Sequence, residues 1–212
     1  MKDVSKIVSL LRKSVDVNVN HILRLGKLSR FEILIGTILS QRTKDANTVR
    51  ACKQLFSKYR TPRQIAAADI RAIERLIKPA GFYRVKARRV KQVSKIIYEK
   101  YKGKVPDGRN ELLKLPGVGA KTSAIVLVQG FQKPVIPVDV HVHRVSNRLG
   151  LVKTKNPEQS EIELNKVVPK KYWVEFNDLF VRFGQQICLS RNPRCKVCPI
   201  NRYCNYYNRK SF

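Results

Sequence analysis

Acidic residues are scarce in this sequence: 15 Asp and Glu stand against 44 Lys and Arg, a formal net charge of +29. A folded chain with that much charge of one sign repels itself, which argues against a protein that works without a polyanionic partner. Nucleic acid is the first such partner, because Lys and Arg release counterions from phosphates. An anionic membrane surface is the weaker second. The excess is nearly threefold and runs along the whole chain, which sets aside a merely lysine-rich composition. Long apolar runs are missing too. None approaches the roughly 20 residues of a membrane span. The opening MKDVSKIVSLLRKSVDV has neither the apolar centre nor the small-residue cleavage site of a signal peptide. These absences predict a soluble cytoplasmic protein, associated with the nucleoid and not with membrane. Its five cysteines are then read in a reducing compartment, where metal binding is favoured over a disulfide.

Strand signals are few. VIPVDVHVHRV begins with a β-like alternation, but Pro137 interrupts it. Asp139 is equally well placed as the N-cap of a helix running to Leu149, with Gly150 behind it. Helix signals, by contrast, recur. Ser29 and Glu32 form a capping box before FEILIGTIL. Thr61-Pro62-Arg63-Gln64 repeats the design with proline at the first helical position, and Asn156-Pro157-Glu158-Gln159 does so again. Val90, Val93, Ile97 and Tyr101 form one apolar stripe, stopped by Gly103. Trp173, Phe176, Phe180 and Phe183 form a second, read as a core face. The predicted fold class is all-α. The 212 residues suffice for one large domain or two small ones. No Gly/Ser linker, internal repeat or low-complexity segment divides them, and a change of character near Gly130 is the best boundary.

Four of the five cysteines lie in CLSRNPRCKVCPINRYC: Cys188, Cys195, Cys198 and Cys204, spaced C-x6-C-x2-C-x5-C. Four thiolates this close together can wrap one tetrahedral or cubane metal centre, and a tail so poor in apolar residues needs such a staple. Structural zinc more often uses two separated C-x2-C pairs, so the spacing leans towards iron–sulfur without deciding it. Cys52 stands apart and reads as a small buried hydrophobe.

The stretch LPGVGAKTS carries a different signal. A short helix is predicted over Asn110–Lys114 and a longer one over Ala120–Gln129, ended by Gly130. Leu115, Pro116, Gly117, Val118 and Gly119 form the turn between them. The two glycines permit positive φ and leave backbone N–H groups uncovered at the N-terminus of the second helix, where the dipole favours an anion. In a chain of this charge, the helix–PGVG–helix unit reads as a clamp for a DNA phosphate. A plain tight turn between packed helices is the bland alternative.

Taken in order, LPGVGAKTS, the downstream VDVHVHRV and the four-cysteine tail resemble endonuclease III, the DNA glycosylase/AP lyase family of the helix–hairpin–helix–GPD superfamily. The resemblance extends from LSQRTKD to the last cysteine. It implies a 4Fe–4S cluster on Cys188, Cys195, Cys198 and Cys204. It implies two helical domains with a cleft between them: residues 22–132 carrying the hairpin, and residues 1–21 with 133–212 carrying the cluster. Lys121 matches the family's nucleophile and Asp139 its catalytic carboxylate, facing each other across that cleft. An amine attacking C1′ displaces the base and forms a Schiff base, after which β-elimination cuts the strand. The amine has to be neutral to attack, which partial burial and neighbouring positive charge favour. A carboxylate beside it steadies the developing positive sugar and shuttles protons.

The implied partner is double-stranded DNA with a flipped-out damaged nucleotide or an abasic site, bound by a monomeric protein. Leu115 to Ala120 should touch its backbone, and Gln41 or Arg42, in LSQRTKD, should fill the gap. The sequence departs from the family here, since relatives often place the glutamine where this chain has Arg42. Arg191, Arg194 and Lys196, between the cluster cysteines, should meet phosphates. His141 and His143 would not share a helix face, so a metal pair is not expected; His141 is expected to hydrogen-bond near the site. Oxidised pyrimidines are the implied substrates. A monofunctional mismatch glycosylase acting on uracil or thymine is the alternative within the superfamily, but those enzymes lack lysine at the position of Lys121. The adenine-specific enzymes also carry a further recognition domain, whereas this chain ends eight residues after Cys204. A non-catalytic DNA-binding module is the alternative outside the superfamily.

Overall fold

A computed structural model describes residues 3–15 and 27–209. Among the described residues all regular backbone is helical, as expected, and none is a strand. No helix among them is long and apolar enough to cross a membrane. The chain divides into two compact units, Val19–Lys133 and Met1–Asn18 with Pro134–Phe212. The domain boundary expected between residues 21 and 22 lies outside the described residues.

The unit Val19–Lys133 contains α2 (Arg30–Ser40), α3 (Asp45–Lys58), α4 (Pro62–Ala67), α5 (Ile70–Leu76), α6 (Tyr83–Lys100), α7 (Arg109–Leu113) and α8 (Ala120–Phe131). Helix α2 is apolar on nearly every side and is buried from Phe31 to Leu39. It therefore runs through the middle of the unit, with α3, α6 and α8 packed around it. The capping boxes at Ser29/Glu32 and Thr61/Gln64 form as read. Glu32 is buried and also accepts from Arg60 Nε at 2.8 Å. Burial works to raise its carboxyl, but the Ser29 N–H, Arg60 and the Ser29 side chain together hold it below the usual carboxylate range. Val90, Val93 and Ile97 of α6 are fully buried, and the chain turns at Gly103 with φ +79°. Cys52 is buried in α3, and burial pushes its thiol up to about 12, the behaviour of an inert core residue.

One helix end differs from expectation. Gly130 does not stop α8, which continues to Phe131. The stop is Gln132, left-handed at φ +54°. The end is closed there because Gln132 N–H donates to Val128 O at 3.1 Å and Lys133 N–H to Leu127 O at 3.0 Å, while Arg30 packs alongside, its Nε donating to Gly130 O at 3.0 Å and its guanidinium over the Phe131 ring at 4.5 Å.

The other unit contains α1 (Val4–Ser14), α9 (Val140–Leu149), α10 (Pro157–Val167), α11 (Trp173–Gln186) and α12 (Asn205–Arg209), with single 3-10 turns at Lys170–Tyr172, Cys195–Val197 and Asn201–Tyr203. Its core is the aromatic stripe read from the sequence. Trp173, Phe176, Phe180 and Phe183 are buried against Ile7 and Leu11 of α1 and Val142 and Val145 of α9. Phe176 and Phe180 stack with ring centres 3.8 Å apart. The one polar atom of Trp173 is satisfied by Val168 O at 2.7 Å. At the third cap, Asn156 accepts from Gln159 N at 2.9 Å, but the Gln159 side chain turns to Lys155 N instead of closing a box.

Candidate active site

The hairpin folds as the glycines demand. Leu115 and Val118 are buried and closed by a Val118 N–H to Leu115 O bond of 3.1 Å, with Pro116 and Gly117 between them. Gly117 has φ +77°, the left-handed conformation that favours glycine, and the Arg89 side chain lies close over it. Gly119 is the N-cap of α8 and carries no side-chain capping bond; a Cβ added there would meet open space. The first N–H groups of α8 are therefore reached from outside past a bare backbone. Ala120 opens the helix and is half-buried, and Lys121 follows on its first turn. The partial burial expected of Lys121 is not found: it is exposed. Its neighbours Thr122, Ser123 and Ala124 take the packed face, and the second helical position points away from it.

The LSQRTKD turn between α2 and α3 separates two residues that the sequence left interchangeable. The Gln41 side-chain amide donates to Gly117 O at 2.8 Å and to Thr122 Oγ1 at 3.2 Å, which binds the turn to the hairpin. Arg42 is exposed and left-handed at φ +50°. Beside it, a Cβ on Gly81 would lie 2.7 Å from Arg42 O, so the segment before α6 touches this turn backbone to backbone. Phe82 comes next, left-handed at φ +57° and 64% exposed. Each of these two L-residues costs about 1–2 kcal/mol in that conformation.

Under the turn lies Lys86, 3% exposed. Its Nζ donates to Leu39 O at 2.7 Å, to Thr43 Oγ1 at 2.6 Å and to Gln41 O. Burial, and secondarily the charge of Arg89, lowers its ammonium from the ordinary lysine value to about 8. Neither Phe82 nor Lys86 stands out in the sequence as a site residue. A signal for the lysine was present: counting one turn back from Val90 along the α6 stripe lands on Lys86.

In the other unit Asp139 caps α9, its Oδ1 accepting from His141 N at 2.9 Å and Val142 N at 3.0 Å. His141 and His143 diverge, as expected. The first contacts Arg144 Nη2 at 3.1 Å through Nδ1, and the second contacts Ser160 Oγ at 2.6 Å. One face of α9 then reaches the cysteine loop. Arg144 Nη2 donates to Gly184 O at 2.9 Å and Cys188 O at 3.0 Å. Arg148 donates to Leu189 O at 2.6 Å, Ser190 O at 2.9 Å and Cys188 Sγ at 3.5 Å. These two arginines were also missed, because their partners lie about forty residues on in the chain.

Cys188, Cys195, Cys198 and Cys204 line one small pocket, partly open to solvent, with Val145, Leu149, Phe183 and Ile187 as its apolar wall. Among the described residues no three His, Cys, Asp or Glu side chains are grouped tightly enough to hold a single ion. Burial, and then the neighbouring cysteines, push the Cys198 thiol up to about 11 against a bond from Ile200 that lowers it, so any metal centre must displace its proton. Arg191, Arg194 and Lys196 are all exposed on the same loop.

Residues 35–170 match the model of the HhH-GPD superfamily base excision DNA repair proteins. An endonuclease III from Thermotoga maritima is 51% identical over 180 residues, which cover 85% of this chain and 84% of the relative. The structure of a trapped endonuclease III–DNA covalent intermediate aligns with a TM-score of 0.81 at 33% identity, covering 99% of both chains. A thermostable thymine-DNA glycosylase aligns with a TM-score of 0.85 at 27% identity, covering 97% of this chain and 95% of that one. With the hairpin, the capped aspartate and the cysteine pocket all inside the matched span or its continuation, this chain belongs to the HhH-GPD superfamily of base excision DNA repair proteins.

Proposed function

We propose that this protein is a bifunctional DNA glycosylase/AP lyase that removes damaged bases, oxidised pyrimidines first, and then cuts the strand. The observation that carries the reading is Lys121 on the first turn of α8, directly behind the uncapped PGVG turn, in a chain 33% identical over its length to an endonuclease III trapped covalently on DNA. The hairpin N–H groups hold a backbone phosphate, and Lys121 then lies one residue from that anchor. Once it has given up a proton, its amine attacks C1′; the bond from C1′ to the base breaks, and the base leaves with the bonding pair and takes up a proton. The sugar opens to the Schiff base. Loss of a C2′ proton expels the 3′ oxygen, which cuts the strand, and water releases the lysine. Asp139 supplies the carboxylate that steadies positive charge on the sugar and moves protons. Arg42 and Phe82 are the side chains that enter the duplex, because both are exposed and share one strained corner. Gln41 instead ties that corner to the hairpin. Arg191, Arg194 and Lys196 meet flanking phosphates.

A duplex bearing one thymine glycol tests the reading. Base release with a β-elimination end is expected, with little action on undamaged duplex. The similarity to a thymine-DNA glycosylase favours a second reading, which predicts release of thymine or uracil from a mismatch with the strand left intact.

The four cysteines suit a 4Fe–4S cluster. Four thiols line one pocket, its wall is apolar, and Arg148 directs an N–H at Cys188 Sγ. When bound, the cluster cross-links the tail and holds the cationic loop in place. Protein purified without oxygen should contain iron and sulfide in equal amounts. Cys198→Ser should lose both and open residues 188–209 to protease while α2 to α8 stay protected. Zinc without sulfide would overturn the assignment.

A further inference from the structure

Lys86 is a buried cation whose three N–H donors all go to one turn. Leu39 O, Gln41 O and Thr43 Oγ1 are uncharged and span five residues. A lysine ammonium has three donors, so this turn uses all of them. Thr43 Oγ1 also accepts Gly81 N at 3.1 Å and reaches Gln41 O at 3.2 Å. The hydroxyl therefore joins the turn to the segment that carries Phe82. Gln41 is fastened at both ends: its carbonyl to Lys86, its side chain to Gly117 O and Thr122 Oγ1 of the hairpin. The network thus runs from the first turn of α6, through the Arg42 corner, to the residue beside Lys121. It encloses two left-handed L-residues, Arg42 and Phe82, whose conformations persist only where their surroundings impose them. A bland role exists as well, since Leu39 O lies in the last turn of α2, where any cation is favourable. That role covers Leu39 O and the C-cap carbonyl Gln41 O. It does not cover the third bond, to Thr43 Oγ1, through which the ammonium reaches the Gly81–Phe82 segment.

We propose that Lys86 is a positioning residue for the reaction: its ammonium fixes the 39–43 turn so that Arg42 and Phe82 are presented to the duplex together, in register with the Lys121 hairpin. The proposal rests on the lyase reading for its kinetic test, but not for its binding test. Without the ammonium the turn keeps its sequence and loses its shape, so DNA still binds but the two side chains no longer enter it as a pair. The chemistry at an aldehyde that needs no entry into a base stack is spared.

The experiment uses the full chain with Lys86→Met, which keeps length and apolar volume, and Thr43→Val, which removes the hydroxyl acceptor. One substrate is an abasic duplex with 2-aminopurine opposite the gap; the other is the same abasic strand alone. Lys86→Met should cut duplex strand cleavage about 100-fold, the scale of a misplaced site, while borohydride trapping on the single strand stays near wild type. The 2-aminopurine signal that wild type produces on binding should be lost at saturating Lys86→Met. Thr43→Val should show the same split to a smaller degree. Parallel loss on both substrates with a lowered melting temperature, or an unchanged duplex rate and fluorescence, would overturn the proposal. If Lys86→Met does not fold, Thr43→Val decides in the same way. Should wild type trap neither substrate, the lyase reading fails, and the fluorescence change alone decides on the clamp.

Discussion

Lys121→Ala is expected to abolish the borohydride-trapped adduct with an abasic duplex and to slow strand cutting by at least about a thousandfold, since no other group then supplies the covalent step. The effect should be chemical and not structural. Lys121 is exposed, and its helix is held by Thr122, Ser123, Ala124 and the apolar residues behind them. Alanine is the best helix former, so the first turn of α8 should survive the change. Duplex binding should survive as well, because the phosphate contact assigned to the hairpin uses backbone N–H groups. The competing role for Lys121, a solvated phosphate contact, makes the opposite prediction. The adduct would persist, affinity would fall, and the dependence of binding on salt would flatten by about one phosphate. Running trapping and a salt titration on the same variant separates the two roles without reference to relatives.

What the sequence made legible is what depends on near neighbours. The Ser29/Glu32 and Thr61/Gln64 boxes, the Asp139 cap and the Gly117 turn each need only three or four consecutive residues, and each forms as read. The cysteine spacing is equally local. Failures appear where the partner is distant. Lys86 was one of 44 cations; its burial comes from α6 packing its first turn against the end of α2, forty-odd residues earlier. Glycine often ends helices, which points to Gly130 as a stop, but α8 continues through it and closes at Gln132, with Arg30, one hundred residues back, packed alongside. The choice between Gln41 and Arg42 was undecidable for the same reason. What distinguishes them is the Gln41 bond to Gly117, seventy-six residues away. Phe82 is different again. An exposed aromatic after a glycine looks like any loop residue until Arg42 O is seen pressed against Gly81.

The cap that Asp139 forms and the catalytic role proposed for it overlap in one side chain, and substitutions can pull them apart. As the N-cap of α9 it accepts two N–H groups through Oδ1, at 2.9 and 3.0 Å. Asparagine caps nearly as well, whereas alanine does not and costs about 1 kcal/mol. In the proposed reaction its carboxylate steadies positive charge on the sugar, which asparagine cannot do. Asp139→Asn should therefore leave the melting temperature close to wild type while base release falls about 100- to 10,000-fold. Asp139→Ala should lose both stability and activity. The carboxylate matters most while the base departs, so Asp139→Asn should impair release from thymine glycol more than cutting at a preformed abasic site. If asparagine retains full base release and only alanine is harmed, Asp139 is a helix cap and nothing more. The shape of the loss also bears on the second unit as a whole. Arg144 and Arg148 follow Asp139 on the same helix and grip the cysteine loop through Cys188 O, Leu189 O and Ser190 O. A cap lost at Asp139 frays the first turn of α9, where His141 contacts Arg144, but Arg148 lies two turns further on, so Asp139→Ala should keep the Arg148 grip on the loop, read as protease protection of residues 188–209.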